Sequence, residues 1–130
     1  MKNISFALTT QQIKDGKKTV TRRLGWLKLK PGDLLQPVKK CMGLKKGESM
    51  EPLRGPIRVI SVRREPLRKL TDNKVYGFLE TRREGFYNTV YEWPSVFVDF
   101  FCSTHKKCTP DTLITRIEFE YPDEIVKENL

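Results

Sequence analysis

A small mixed α+β barrel, of about five to six strands with two or three short helices, is the fold this sequence predicts, and three observations predict it. Residues 112–121 alternate apolar and polar side chains with period 2, the pattern of a half-buried strand. Four further stretches, at 4–8, 18–23, 34–40 and 57–64, are short and rich in β-branched or apolar residues. The helical patterns between them do not alternate regularly with strands, as βαβ units would, so a parallel sheet is disfavoured. At 130 residues the chain fits one domain spanning 1–130, long enough to bury a continuous core.

Ile4, Phe6 and Leu8 alternate with Ser5 and Ala7 and read as the first strand. Thr9 to Gln12 has the Thr-x-x-Gln form of a capping box, opening a helix that Gly16 closes about one turn later. The run Gly16-Lys17-Lys18-Thr19-Val20-Thr21-Arg22-Arg23 is then a strand entered through a glycine turn, since Thr and Val favour a pleated surface and glycine supplies a positive φ. Alternation places Thr19, Thr21 and Arg23 on one side and Lys18, Val20 and Arg22 on the other. If the turn extends through Lys18, that lysine can swing to the hydroxyl side.

Lys30-Pro31-Gly32-Asp33 is a turn, and 34–40 is the next strand, with Pro37 suggesting an edge position or a bulge. Residues 43–56 are rich in Gly, Lys, Glu and Pro and read as a long flexible loop. In 57–64, Ile57 and Val59 point one way and Ile60 and Val62 the other. Val75, Phe78 and Leu79 follow at helical spacing after a cap at Thr71 or Asp72, and Gly85 ends that helix. A second helix begins near Pro94 and runs through Val98 and Phe101. In the closing strand Leu113, Thr115, Ile117, Phe119 and Tyr121 share one face. The polar tail, 122–130, frays, with Ile125 and Val126 available to dock.

The charge balance is 25 Lys+Arg against 16 Asp+Glu, a net +9, which favours an anionic partner or substrate. No apolar stretch is long enough to span a membrane, and the start carries no secretory leader pattern, so a cytoplasmic protein, expected as a monomer, is implied. Three cysteines, an odd number, argue for reduced thiols or a metal site over a disulfide framework.

The spacing Gly-x-Lys-Thr-x-Thr-x-Arg, filled by Gly16, Lys18, Thr19, Thr21 and Arg23, resembles the signature of the ASCH domain family, whose fold is a PUA-like β-barrel. With Lys-Pro-Gly-Asp at 30–33 and a closing Ile-x-Phe-x-Tyr strand, the resemblance covers roughly residues 4–121. Small bacterial members of that family are amidohydrolases that deacetylate N4-acetylcytidine with a Lys, Thr and Glu set. Carried over by position, the resemblance implies Lys18 as proton acceptor, Thr21 as nucleophile and Glu84 as proton donor, with Glu80 a rival for the acid. Arg23 would position the substrate or orient that acid. The chain is longer than those enzymes, chiefly in the 43–56 loop.

The chemistry is coherent with the residue types. A threonine hydroxyl is a poor nucleophile until a base takes its proton, and only a neutral lysine can do so. An ordinary lysine with a pKa of about 10.4 is almost wholly charged at pH 7. Partial burial and the like charges of Lys17, Arg22 and Arg23 all push it toward the neutral form.

Two other readings stand beside this one. The first is a non-catalytic RNA-binding module, or a ribonuclease, using the same basic cleft. Gly16, Thr19, Arg22, Arg23, Arg63 and Arg64, with Arg58, Arg68, Lys69, Arg82 and Arg83, would meet substrate or phosphates, and Trp26, Tyr87, Tyr91 or Trp93 would stack bases, although Trp93 and Phe86 read more readily as core. The second is a zinc site at Cys102, His105 and Cys108 with Cys41, against which stand the missing close C-x2-C pairs; buried free cysteines and an exposed histidine are the alternative.

Overall fold

A computed structural model describes residues 1–124 of the chain, and its frame is one five-stranded sheet. Strands β1 (Lys2–Ser5), β2 (Val20–Arg23), β3 (Leu34–Val38), β4 (Ile57–Pro66) and β5 (Leu113–Glu120) stand in the order β1-β3-β4-β5-β2. The β1–β3 pair is parallel and the other neighbours are antiparallel. The helices are α1 (Thr10–Lys14), α2 (Lys69–Asp72), α3 (Lys74–Arg83) and α4 (Pro94–Thr104), with a 3₁₀ turn at Val90–Glu92. The α+β class expected from the sequence is the class observed. The ladder is open between its edge strands, β1 and β2. What spans their gap is a side chain: Arg23 Nη2 donates to the Ser5 carbonyl at 2.5 Å.

The alternation along β5 builds two cores. Ile117, Phe119 and Tyr121 pack with Ile4, Phe6, Ile13, Leu35 and Ile57 on one face of the sheet. Ile114, on the opposite face, packs with Leu67, Leu70, Phe86, Phe97, Val98 and Phe101 from the helical layer. Each such fully buried side chain contributes roughly 1.5–3 kcal/mol. Arg116 shares the Ile114 face and is also buried, which alternation alone does not explain.

Several local expectations give way, each for a physical reason. Val59 pairs with Phe119 and Ser61 with Glu118, so two steps on β4 answer one on β5: a bulge at Ile60. It leaves Ile60 exposed and returns Val62 to the face of Ile57 and Val59. Pro37 is not on an edge strand, since β3 lies between β1 and β4. The β3–β4 pairing covers only Leu34 and Leu35, and past it the 43–56 loop takes over, with Leu53 N–H donating to the Pro37 carbonyl at 3.0 Å and Lys39 N–H to Glu51. That loop is therefore anchored at its far end, where Leu53 joins the core.

The capping box at Thr9 does not form. Thr10 Oγ1 donates to the Phe6 carbonyl instead, and Gln12 Nε2 reaches the Gly85 carbonyl at 3.1 Å. Asn73, not Thr71 or Asp72, caps α3, accepting from Tyr76 N–H at 3.1 Å. Val75 and Leu79 are exposed, while Gly77, Glu80 and Thr81 face inward, so the buried face of α3 is not its apolar one. Trp93, read as core, is exposed, its ring edge-on to Phe78; Phe86 is core as expected. Leu8 lies beyond β1 and is exposed. Ile125 and Val126 lie outside the described residues. Among those residues no helix is long and apolar enough to cross a membrane.

Candidate active site

The stretch from Lys17 to Thr19 is held by helix ends on both sides. Lys17 and Lys18 N–H donate to the Gln12 carbonyl at the close of α1, and Thr19 N–H donates to the Arg83 carbonyl at the close of α3. Lys18 Nζ takes the next orphan carbonyl, that of Glu84, at 2.6 Å, and the Glu84 carboxylate Oε1 at 2.9 Å. Its ammonium also lies 5.9 Å from the Phe6 ring centroid and 5.7 Å from that of Phe86. A lysine with 3% of its side chain exposed is thus anchored to one carboxylate and framed by aromatic faces. Burial lowers its pKa from the ordinary 10.5; the charge and hydrogen bond of Glu84 oppose this, and the charges of Arg23 and Arg22 reinforce it.

Gly85 permits this contact. Its φ of +98° turns the chain off the end of α3, and a Cβ there would sit 3.1 Å from the Gln12 Cβ and Cγ and 3.5 Å from the Lys18 Cβ. Gly85→Ala is therefore expected to cost roughly 1–3 kcal/mol, read as a lowered denaturant midpoint with unchanged slope. A midpoint equal to wild type would show that the turn does not need this backbone conformation.

On the other side of β2, Thr21 is buried and its Oγ1 accepts from Arg23 Nε at 3.0 Å. The pairings Thr21 with Ile117 and Arg22 with Arg116 confirm the alternation: Thr21 and Arg23 face the strand core, Arg22 the helical layer. Lys18 bonds to Glu84 on the Arg22 side. Because β2 is an edge strand, however, a cavity of about 240 Å³ wraps that edge and is lined by Lys18, Thr21, Arg22, Arg23 and Glu84 together. Ser5 to Thr9 also line it, as do Phe86 and, from α4 and its end, Phe97, Phe100, Phe101, Thr104 and His105. The cavity lies at the gap in the ladder, lined by Ser5 of β1 and by Thr21, Arg22 and Arg23 of β2. Its volume lies just under the ~300–1,000 Å³ usual for drug-sized ligands, so it suits a small molecule rather than a folded polymer.

Among solved structures the chain is similar to protein EF3133 from Enterococcus faecalis V583, a crystal structure carrying the family-model name DUF984. The two share 20% identity and a TM-score of 0.52 over 85% of this chain and 67% of that one. At that identity the likeness shows the fold alone. No family model matches the chain, and no curated protein matches it.

Glu80 on α3 and Glu84 at its C-terminal cap, one helical turn apart, have different surroundings. Glu84 lines the cavity, accepting from Lys18 through Oε1 and from Arg22 Nη1 through Oε2 at 3.2 Å. Glu80 is fully buried behind it, paired with Arg22 Nη2 at 2.5 Å, with Arg116 and with Arg83. Burial alone would raise its pKa, but hydrogen bonds from Arg116 and Arg83 and the charge of Arg22 hold it well below the usual carboxylate range. A carboxylate so held does not release a proton at neutral pH.

The other residues singled out in the sequence are placed elsewhere. Gly16 forms the expected turn, with φ +71°. Thr19 serves through its backbone, its carbonyl accepting from Phe119 N–H at 2.9 Å. Arg22 lines the cavity but also spends its guanidinium on Glu65 at 3.0 Å, Glu80 and Glu84. Arg63 and Arg64 line a different groove of about 460 Å³, with Trp26, Lys30 and Pro31.

The four zinc candidates do not converge. Cys102 and Cys108 have their Sγ atoms 3.7 Å apart, but His105 commits Nδ1 to the Phe101 carbonyl, and Cys41 lies within electrostatic reach of Arg23. Burial pushes the Cys102 thiol up to about 11, away from the thiolate a metal requires. Among the described residues no three His, Cys, Asp or Glu side chains gather as a metal site. Nor is His105 exposed; it is half-buried and stacked on Phe101, the centroids 4.2 Å apart at 21°. The aromatic lining from α4 was not found from the sequence, because the apolar residues of a helix carry no local sign of facing a cavity rather than a core.

Proposed function

We propose that the chain is an amidohydrolase of the ASCH kind, acting on an N4-acylated cytidine or a base of similar size. The observation that carries this reading is a buried lysine, its pKa lowered, sharing one cavity with a buried threonine hydroxyl and a carboxylate bonded to that lysine. The Lys-x-x-Thr spacing supports it, and the DUF984-labelled neighbour supports the fold it needs and no more.

In this reading neutral Lys18 takes the Thr21 proton as Oγ1 attacks the acyl carbonyl. Arg23 Nε, already donating to Oγ1, favours the developing oxyanion on the nucleophile. The proton passes along the 2.9 Å Lys18–Glu84 hydrogen bond, and Glu84 delivers it to the departing amine as the C–N bond breaks. Water then attacks the threonyl ester, Lys18 takes its proton, and Thr21 regains one as the carboxylic acid leaves. Overall, amide and water give acid and amine.

The test is incubation of the protein with N4-acetylcytidine and chromatography for cytidine. Wild type is expected to release cytidine, and Thr21→Ala to release none above the uncatalysed rate while binding the nucleoside. Absence of product from wild type, or full activity in Thr21→Ala, would end the proposal.

A second reading rests on the separate groove where Trp26, held at φ +55°, lies beside Arg63, Arg64 and Lys30. Such an aromatic amid cations suits a single-stranded RNA. RNA affinity there would fall steeply with salt, whereas a flat response would remove it.

A further inference from the structure

The lining of the cavity also includes His105, the chain's one histidine, and no step above uses it. Its surroundings fix both its orientation and its tautomer. The ring stacks on Phe101, and Nδ1 lies 2.8 Å from the Phe101 carbonyl oxygen, which can only accept. Nδ1 must therefore carry a hydrogen. In the neutral ring this leaves Nε2 as the bare nitrogen, an acceptor with no hydrogen of its own. The Thr104 hydroxyl, 3.1 Å from Nδ1, donates to the same Phe101 carbonyl at 3.0 Å, so the end of α4 closes around that one edge of the imidazole. The position is also fixed by the backbone: His105 leaves the helix with φ −129° and ψ 126°, and two residues later Lys107 takes a left-handed φ of +58°.

The charged part of the lining is lopsided, although the hydroxyls of Ser5, Thr9, Thr21 and Thr104 also line the cavity. Lys18, Arg22 and Arg23 are donors only, and the Glu84 carboxylate is already bonded to two of them. These donors suit the acceptor end of a substrate, such as a carbonyl oxygen. A ligand with an O–H or N–H at its other end needs an acceptor too, and His105, a lining residue with Nδ1 already committed, offers its remaining ring nitrogen.

We propose that His105 contacts the substrate directly, its Nε2 accepting a hydrogen bond from a hydroxyl or N–H of the nucleoside while the Phe101–His105 stack supports the bound ring. This rests on the hydrolase reading of the cavity and adds the substrate's donor end to it.

The wild-type protein, labelled with ¹⁵N at histidine, gives one pair of ring nitrogens to follow. Titration with cytidine, the product, is expected to shift the Nε2 resonance while Nδ1 keeps its hydrogen. In turnover of N4-acetylcytidine, His105→Phe, which keeps a stacking ring and loses the acceptor, is expected to raise KM about ten-fold with a smaller change in kcat. His105→Gln, which restores an acceptor, is expected to recover most of that loss. The inference is overturned if wild type turns over but the ring resonances do not move, or if His105→Phe keeps the wild-type KM; Lys18, Thr21 and Glu84 would then stand without it. If wild type neither turns over nor binds, the hydrolase reading and this one fall together. If His105→Phe proves unfolded, the wild-type titration and the glutamine variant still decide.

Discussion

Lys18→Met is expected to lower kcat by about 10²–10⁴-fold, the range lost when a positioned base is removed, and to leave the fold within roughly 1 kcal/mol of wild type. The second half separates a catalytic lysine from a structural one. Removing one partner of a buried ion pair is usually severe because the other charge is orphaned, but here Glu84 keeps Arg22 at 3.2 Å. The protein also no longer has to bury an ammonium, so the lost attraction and the relieved desolvation oppose one another. The pH profile makes the same point in wild type. Activity requires the neutral amine, so kcat/KM should climb with pH as Lys18 loses its proton, along a limb with an apparent pKa below 10.5. The limb should be absent from the residual activity of Lys18→Met. A wild-type profile with no ascending limb anywhere below pH 10.5, or a methionine variant with undiminished kcat, would rule out the lysine as base.

The parts of this protein legible in its sequence are those where one side chain answers to one local rule. Gly16 and Gly85 turn the chain with positive φ, Pro94 opens α4, and β5 alternates as written because each of its faces meets a different core. The Lys18, Thr21 and Glu84 set shares a cavity, yet for a reason the strand alternation did not contain. Lys18 and Thr21 lie on opposite sides of β2, and only the unpaired edge of that strand lets both reach one space. Edge status is decided by pairing between distant strands, and no local pattern records it. The bulge at Ile60 was illegible for the same reason. On α3 the apolar periodicity of Val75, Phe78 and Leu79 pointed outward, because what the helix buries is charge. Glu80 and Glu84, spaced i, i+4, face Arg22 from β2, and Glu80 also meets Arg116 from β5. A hydrophobic pattern assumes an apolar partner, and this interface is ionic.

That interface yields the largest stability effect. Glu80→Gln is expected to cost roughly 3–5 kcal/mol, since Arg22 and Arg116, with 1% and 4% of their side chains exposed, would lose the charge they share and have no water to replace it. An amide keeps the shape of the carboxylate, so the loss reports charge rather than a cavity. The pH dependence follows with a definite sign. Glu80 is held below its unfolded value, so its contribution is present above about pH 4.3, the ordinary glutamate value, and is lost progressively as the medium becomes more acid and the folded carboxylate takes up its proton. Wild type should therefore lose stability steeply below that pH, and Glu80→Gln less so. Some slope should remain, because Glu65 is also held low: burial raises it, but Tyr76, Arg22, Lys69 and Arg63 together outweigh that. Chemical denaturation of both proteins at neutral and acid pH measures the difference. Parallel curves, or a neutral-pH loss under about 1 kcal/mol, would mean that the arginines find other partners and that Glu80 does not hold β2 and β5 to α3. If the loss is as large as expected, the same residue keeps Arg22 in place beside Glu84, and the ionic layer is what holds the acid of the candidate site against the lysine it serves.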